Sequence, residues 1–175
     1  RIIGGASRGL HLTPVGEGDA KAHLRPTSDR VREAIFNLLI NGGYGNPVTG
    51  ARVLDVFAGT GALGLEALSR GADHTTFLEN SATAATLLRR NIALMRAEAR
   101  TDPLRRDATK PGPNPGAPFT LVFLDPPYGK GLGEIALAAL RPWLAPEALI
   151  VWEENTPPTP PEGFAGQFAR YYQAV

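Results

Sequence analysis

Apolar residues alternate along this chain between two rhythms. Short, nearly continuous runs at 52–57 (R-V-L-D-V-F), 74–79 (H-T-T-F-L-E), 119–124 (F-T-L-V-F-L) and 148–152 (A-L-I-V-W) predict buried strands. Between them apolar positions recur at helical spacing. Val31, Ile35, Leu38 and Leu39 follow a cap at Ser28 or Asp29 and stop at Asn41-Gly42-Gly43. Leu87, Leu88, Ile92 and Met95 mark a helix from 81 to about 97, and two more helices are expected after the glycine run as far as about 70 and over 131–144. A weak strand is expected at 104–106, and the tail F-A-G-Q-F-A-R-Y-Y-Q-A-V predicts one last strand that ends short of a complete sheet. The stretch K-P-G-P-N-P-G-A-P at 110–118 is loop by composition. Residues 1–27, punctuated by Gly4-Gly5, Arg8-Gly9 and Thr13-Pro14, predict a hairpin-like arm and a loop ahead of a body spanning 28–175. Strands separated by helix-length segments give an α/β fold, a doubly wound Rossmann-like sheet. Its ligand crevice lies outside the carboxyl ends of the strands, where strand order reverses between the first and fourth.

Composition narrows the class. With 175 residues, 43% hydrophobic and 20% charged, the chain is one globular domain. It has no cysteine, and His11, His23 and His74 are scattered, so no disulfide frame and no metal site are expected. No run reaches the roughly 18 apolar residues of a membrane span, and the expectation is a cytoplasmic monomer without membrane association. The net charge is only +1, but Arg1, Arg8, Lys21, Arg25, Arg30 and Arg32 outnumber Glu17, Asp19 and Asp29 at the start, a locally basic end.

The candidate chemistry lies at two strand ends. Gly59–Gly64 reads G-T-G-A-L-G, and Glu79 follows Gly59 by about twenty residues, as a ribose-binding acid does. That pattern fits a nicotinamide dinucleotide as well as S-adenosylmethionine. Asp55, just ahead of the turn, suits a cationic amino-acid moiety better than a pyrophosphate. Asp107 suits either an adenine amino group or a solvated turn. After the fourth strand comes Asp125-Pro126-Pro127-Tyr128. The lone pair of a nucleobase amine is delocalised into its ring. A carboxylate oxygen of Asp125 and the Pro126 carbonyl can accept its two N–H groups and aim the lone pair, with Pro127 helping to fix the backbone. Tyr128 offers a face on which a flipped base stacks. An NAD-dependent oxidoreductase needs a proton relay for which no residue stands out, and a DNA adenine-N6 or cytosine-N4 methyltransferase is the nearer alternative.

The order R-I-I-G-G at 1–5, R-G-L at 8–10, R-P-T-S-D-R-V-R-E-A-I-F-N at 25–37, V-L-D-V-F-A-G-T-G-A-L-G-L-E-A-L-S-R-G-A at 53–72 and D-P-P-Y at 125–128 resembles the RsmD family over nearly the whole chain. That resemblance implies an S-adenosylmethionine-dependent methyltransferase acting on the N2 amine of one guanine in 16S rRNA, on the small ribosomal subunit. It implies a cofactor site of Asp55, Phe57, Ala58, Gly59, Thr60, Gly61, Glu79, Asn80, Asp107 and Ala108, with Thr27 and Arg30 near the methionine end. It further implies catalytic roles for Asp125, Pro126, Pro127 and Tyr128, and RNA contacts for Arg1, Arg8, Lys21, Arg25 and Arg32.

Overall fold

The computed structural model describes residues 1–14, 27–168 and 171–175. After α1 (Asp29–Asn41), strands and helices alternate as β1 (Arg52–Val56), α2 (Ala62–Ser69), β2 (His74–Leu78), α3 (Ala82–Leu94), β3 (Thr101–Leu104), β4 (Phe119–Leu124), α4 (Leu132–Leu140) and β5 (Leu144–Trp152). A hairpin of β6 (Phe164–Phe168) and β7 (Tyr171–Ala174) closes the chain. The seven strands lie in the order β3-β2-β1-β4-β5-β7-β6. The first five are parallel, and β7 runs antiparallel to both β5 and β6. The order reverses between β1 and β4, as the sequence predicts.

Alternation along the strands builds a core on each face of the sheet. Val53, Leu121, Phe123 and Val151 pack with Ile35, Phe36, Leu65 and Leu88 of the first three helices. Leu54, Val56, Val122, Leu124 and Ile150 pack with Ala136, Leu137 and Leu140 of α4. Ser28 caps α1 through its hydroxyl, which accepts the Val31 N–H at 3.2 Å.

Several boundaries differ from the sequence expectation. The third strand lies at Thr101–Leu104 rather than 104–106. Pro103 falls inside it, which an edge strand tolerates because one side of its ladder is open. Helix α4 stops at Leu140, and a 3-10 turn containing Pro142 leads directly into β5. The tail forms two strands rather than one, so the sheet is complete to its seventh strand.

The beginning of the chain is docked on the body. The Ile2 N–H bonds Leu10 O and the Gly9 N–H bonds Ile2 O, both at 2.8 Å, closing the expected hairpin-like turn. Ile2 is buried in the core between the sheet and the first three helices. The carboxylate of Glu66 on α2 is fully buried and gathers four donors. Its Oε1 accepts the Ile3 N–H (2.9 Å) and Arg32 Nε (3.3 Å), and its Oε2 accepts the Gly4 N–H (3.0 Å) and Arg70 Nε (2.8 Å). Buried Asn91 of α3 accepts the Thr13 N–H at 2.7 Å and donates to Thr60 O at 2.9 Å, tying the arm to the turn after β1.

Candidate active site

The segments that follow β1, β2, β4 and β5 border one cleft of about 740 Å³, within the size range of small-ligand sites. Asp55, the fourth residue of β1, is 2% exposed, and its Oδ2 accepts the Gly64 N–H at 2.9 Å. Glycine is required at 64: a Cβ there would lie 3.0 Å from that oxygen and 2.7 Å from the Thr75 methyl. Burial pushes the Asp55 carboxyl well above the usual carboxylate range; the Gly64 N–H opposes this, and the charges of Asp125 and Glu79 add to it. A cation brought to Asp55 would therefore restore its ionised form.

The turn after β1 is left-handed at three of five positions, Phe57 (φ 57°), Gly59 (φ 58°) and Gly61 (φ 83°). A side chain at Gly61 would come within 2.4 Å of Leu88 Cδ1. Phe57 carries one in that region, at a cost on the order of 1–3 kcal/mol. Its neighbours hold it there, the Ala58 N–H bonding Leu78 O at 3.0 Å. Glu79, the first residue past β2, accepts the Gly59 N–H at Oε1 (2.8 Å) and the Ser81 N–H at Oε2 (2.7 Å). Both oxygens keep a second lone pair for a ligand.

Across the cleft, Asp125 is the first residue past β4, and its N–H approaches Val56 O at 3.4 Å. Pro126, Pro127 and Tyr128 continue the wall, with Tyr128 40% exposed. Of the expected cofactor residues, Thr27, Asp55, Phe57, Ala58, Gly59, Thr60 and Glu79 line the cleft. Gly61 is buried beneath the turn, and Arg30 and Asn80 are exposed outside the lining.

Asp107 and Ala108 are also outside it. The Oδ1 of Asp107 accepts the Thr109 N–H (2.9 Å) and hydroxyl (2.7 Å), which hold its carboxyl below the usual range, the arrangement of a turn residue. Ala108 is buried in the core on the α4 face. Among the expected RNA contacts, Arg8 is exposed and Arg1 pairs with Asp29 at 3.0 Å. Arg32 is a correction: it is 3% exposed, and its guanidinium bonds Glu66, Asp29, Thr27 O and Arg1 O, so it fastens the arm instead of facing solvent. Lys21 and Arg25 lie outside the described residues.

Ser28, Val31, Ser81, Lys130 and Glu153 line the cleft without having been expected to. Glu153 was findable by the rule that picked out Asp125, since it is the first residue past the neighbouring parallel strand. The chain carries a second basic stretch. From 89 to 110 the chain carries Arg89, Arg90, Arg96, Arg100, Arg105, Arg106 and Lys110 against Glu98, Asp102 and Asp107. Arg106 is spent on the proline-rich loop, bonding Pro111 O at 2.8 Å and Pro113 O at 3.1 Å, but Arg89, Arg90, Arg96, Arg100, Arg105 and Lys110 are exposed.

Residues 1–170 match the family model described as conserved hypothetical protein 95. The chain is 43% identical, over 187 aligned positions, to ribosomal RNA small subunit methyltransferase D of Escherichia coli strain K12, an alignment covering 99% of this chain and 89% of that protein. It is 38% identical over 177 positions to the Haemophilus influenzae protein of the same name, covering 94% and 84%. The solved structure of yhhF from Escherichia coli superposes with a TM-score of 0.80 at 38% identity, over 99% of this chain and 97% of that one.

Proposed function

Since this chain belongs to the conserved hypothetical protein 95 family and is a methyltransferase, we propose that it moves a methyl group from S-adenosylmethionine to the exocyclic N2 amine of a guanine in small-subunit ribosomal RNA. The observation that carries the reading is the meeting, in one cleft, of a buried cation-seeking carboxylate and a ribose-type acid with the Asp125-Pro126-Pro127-Tyr128 wall. The names of the Escherichia coli and Haemophilus influenzae relatives support the RNA class.

In this reading Asp55 faces the positively charged amino-acid end of the donor, near Thr27. Glu79 receives the ribose hydroxyls, and the Gly59–Gly61 turn lets the backbone approach closely. When bound, S-adenosylmethionine supplies a methyl group on a positively charged sulfur, already activated for transfer. The protein's part is alignment, which contributes on the order of 7–11 kcal/mol in favourable cases. Tyr128 stacks on the target base while Asp125 Oδ and the Pro126 carbonyl accept the two N–H groups of its amine. Held in this way, the amine nitrogen would receive that methyl group with the neutral thioether as leaving group, and the Asp125 carboxylate would take the proton that the nitrogen sheds.

RNA phosphates are met by the arm, through Arg1, Arg8, Lys21 and Arg25, and by the basic stretch beside β3, through Arg89, Arg90 and Arg105. Calorimetric titration with S-adenosylhomocysteine and with NAD tests the cofactor half. S-adenosylhomocysteine is expected to bind and NAD to produce no comparable heat; tight NAD binding with no response to S-adenosylhomocysteine would overturn the proposal.

A further inference from the structure

The proposed chemistry uses Asp125 and leaves a second carboxylate in the cleft wall without a role. Glu153 is held beside Asp125 by the sheet. Leu124 and Trp152 are partners in the parallel β4–β5 ladder, so Asp125 and Glu153 are the first residues past two adjacent strands. The Glu153 N–H bonds Leu124 O at 2.8 Å, which fixes its backbone against the end of β4. Leu124 and Trp152 both turn to the α4 core. The alternation of the pleat sends the next side chains, Asp125 and Glu153, to the opposite face, where both line the cleft with Tyr128 and Lys130.

Two carboxylates side by side present hydrogen-bond acceptors and no donor when ionised. The three nucleobases that carry an exocyclic amine differ in what lies next to it. In adenine and cytosine the neighbouring ring nitrogen is an acceptor. In guanine the neighbour, N1, carries a hydrogen, so the edge offers donors at N2 and N1 in a row, followed by the acceptor O6.

We infer that Glu153 accepts the N1–H of the target guanine, so that Asp125 and Glu153 together select a base edge with two adjacent donors. Lys130, on the same wall, is complementary to the O6 acceptor that completes that edge. Adenine or cytosine brought to Asp125 through its amine would turn a ring lone pair onto Glu153. Accepting N1–H also favours electron density on the guanine ring as N2 attacks, so this residue serves both choice and rate. The inference rests on the proposed guanine-N2 methylation and names the group that makes it base-specific.

The test uses an analogue with an altered edge. 2-Aminopurine keeps the N2 amine, has an acceptor at N1 and lacks O6, so the Lys130 contact is missing from the analogue in every variant and the role of Glu153 is read from how its substitution changes the preference. Wild-type protein is first incubated with S-adenosylmethionine and an unmethylated small-subunit rRNA transcript, free and assembled into subunits, to locate the modified guanine. Formation of no N2-methylguanosine at this stage would remove the underlying reading, independently of Glu153. The substrate is then built by ligation with guanine or 2-aminopurine at that position. Wild type is expected to prefer guanine by roughly 10²-fold or more in kcat/KM. Glu153→Gln, whose amide can donate to an N1 acceptor, is expected to lower that ratio at least roughly tenfold. Binding of S-adenosylhomocysteine at wild-type affinity verifies that the variant is folded, and Glu153→Ala, with neither charge nor donor, should also narrow the preference. An unchanged ratio in both variants overturns the inference. So does loss of activity on both substrates with cofactor affinity retained, because removing a reader narrows the choice without abolishing transfer.

Discussion

Asp125 and Tyr128 are assigned different work in one loop, and substitution separates them. Asp125→Ala should lower kcat on the order of 10²-fold or more while leaving S-adenosylhomocysteine affinity within a few-fold, because the lost acceptor acts on the amine alone. Parallel loss of cofactor binding would make Asp125 a structural residue. Tyr128→Ala should cost about 1–3 kcal/mol of substrate binding and Tyr128→Phe little, since the ring face stacks. The reverse order in steady-state kinetics would assign the work to the phenolic hydroxyl. Asp55 links the site to pH. Its folded-state pKa is raised above the unfolded value by burial, so its contribution to stability is present at low pH and lost as pH rises through the folded pKa. A bound cation reverses the preference, so donor binding releases a proton and tightens as pH rises above the ordinary carboxylate range, with Asp125 and Glu79 the acids facing Asp55. Asp55→Asn should bind S-adenosylmethionine more weakly with a flatter pH dependence. Without ligand it should melt higher near pH 7, by about 2–4 °C per kcal/mol relieved. A lower melting temperature with unchanged donor affinity would contradict both assignments. The cleft positions of Asp55, Glu79 and Asp125 could be read because each stands at the carboxyl end of a buried run, Asp55 ahead of the glycine turn, Glu79 about twenty residues beyond Gly59, and Asp125 directly before Pro126. Asp107 stands at such an end too, yet its carboxylate turned inward on Thr109, a local competition that spacing does not reveal.

At the scale of elements, the parallel strands and their helices could be read from the sequence because buried runs and helical spacing were both clean there. What was missed lies at the edges. Pro103 reads as a breaker, but β3 has an open side, and the tail hairpin carries too few residues per strand to show a period. The docking of the first residues was also hidden, because Gly4-Gly5 and Arg8-Gly9 have the composition of a free turn. The partner that fixes them is Glu66, which sequence alone places in the middle of an ordinary amphipathic helix. Glu66→Ala would leave Arg32 with Asp29 as its remaining carboxylate and take the partner from Arg32 Nε and from the Ile3 and Gly4 N–H groups, a loss of about 3–5 kcal/mol. Calorimetry should record a fall in Tm of roughly 10 °C, partly recovered in Glu66→Gln. An unchanged Tm would show that the Glu66 contacts do not stabilise the docked arm.

Over the whole molecule, a net charge of +1 conceals two basic regions, the arm and the stretch beside β3. Phosphate contacts release counterions, so each lost contact should flatten the dependence of log affinity on log salt by roughly 0.7–0.9. Arg8→Ala with Lys21→Ala, and separately Arg89→Ala with Arg105→Ala, should weaken RNA binding and reduce that slope without changing S-adenosylhomocysteine affinity. A pair that binds with the wild-type slope is an ordinary solvated surface. The central claim concerns the reaction that this cleft and these surfaces serve together. Its most direct test is to incubate the protein with labelled S-adenosylmethionine and small-subunit ribosomal RNA, free and assembled, digest the RNA and identify the labelled nucleoside. The account predicts N2-methylguanosine at a single position. Label in an adenosine or cytidine, or no transfer to RNA in either form, would contradict it.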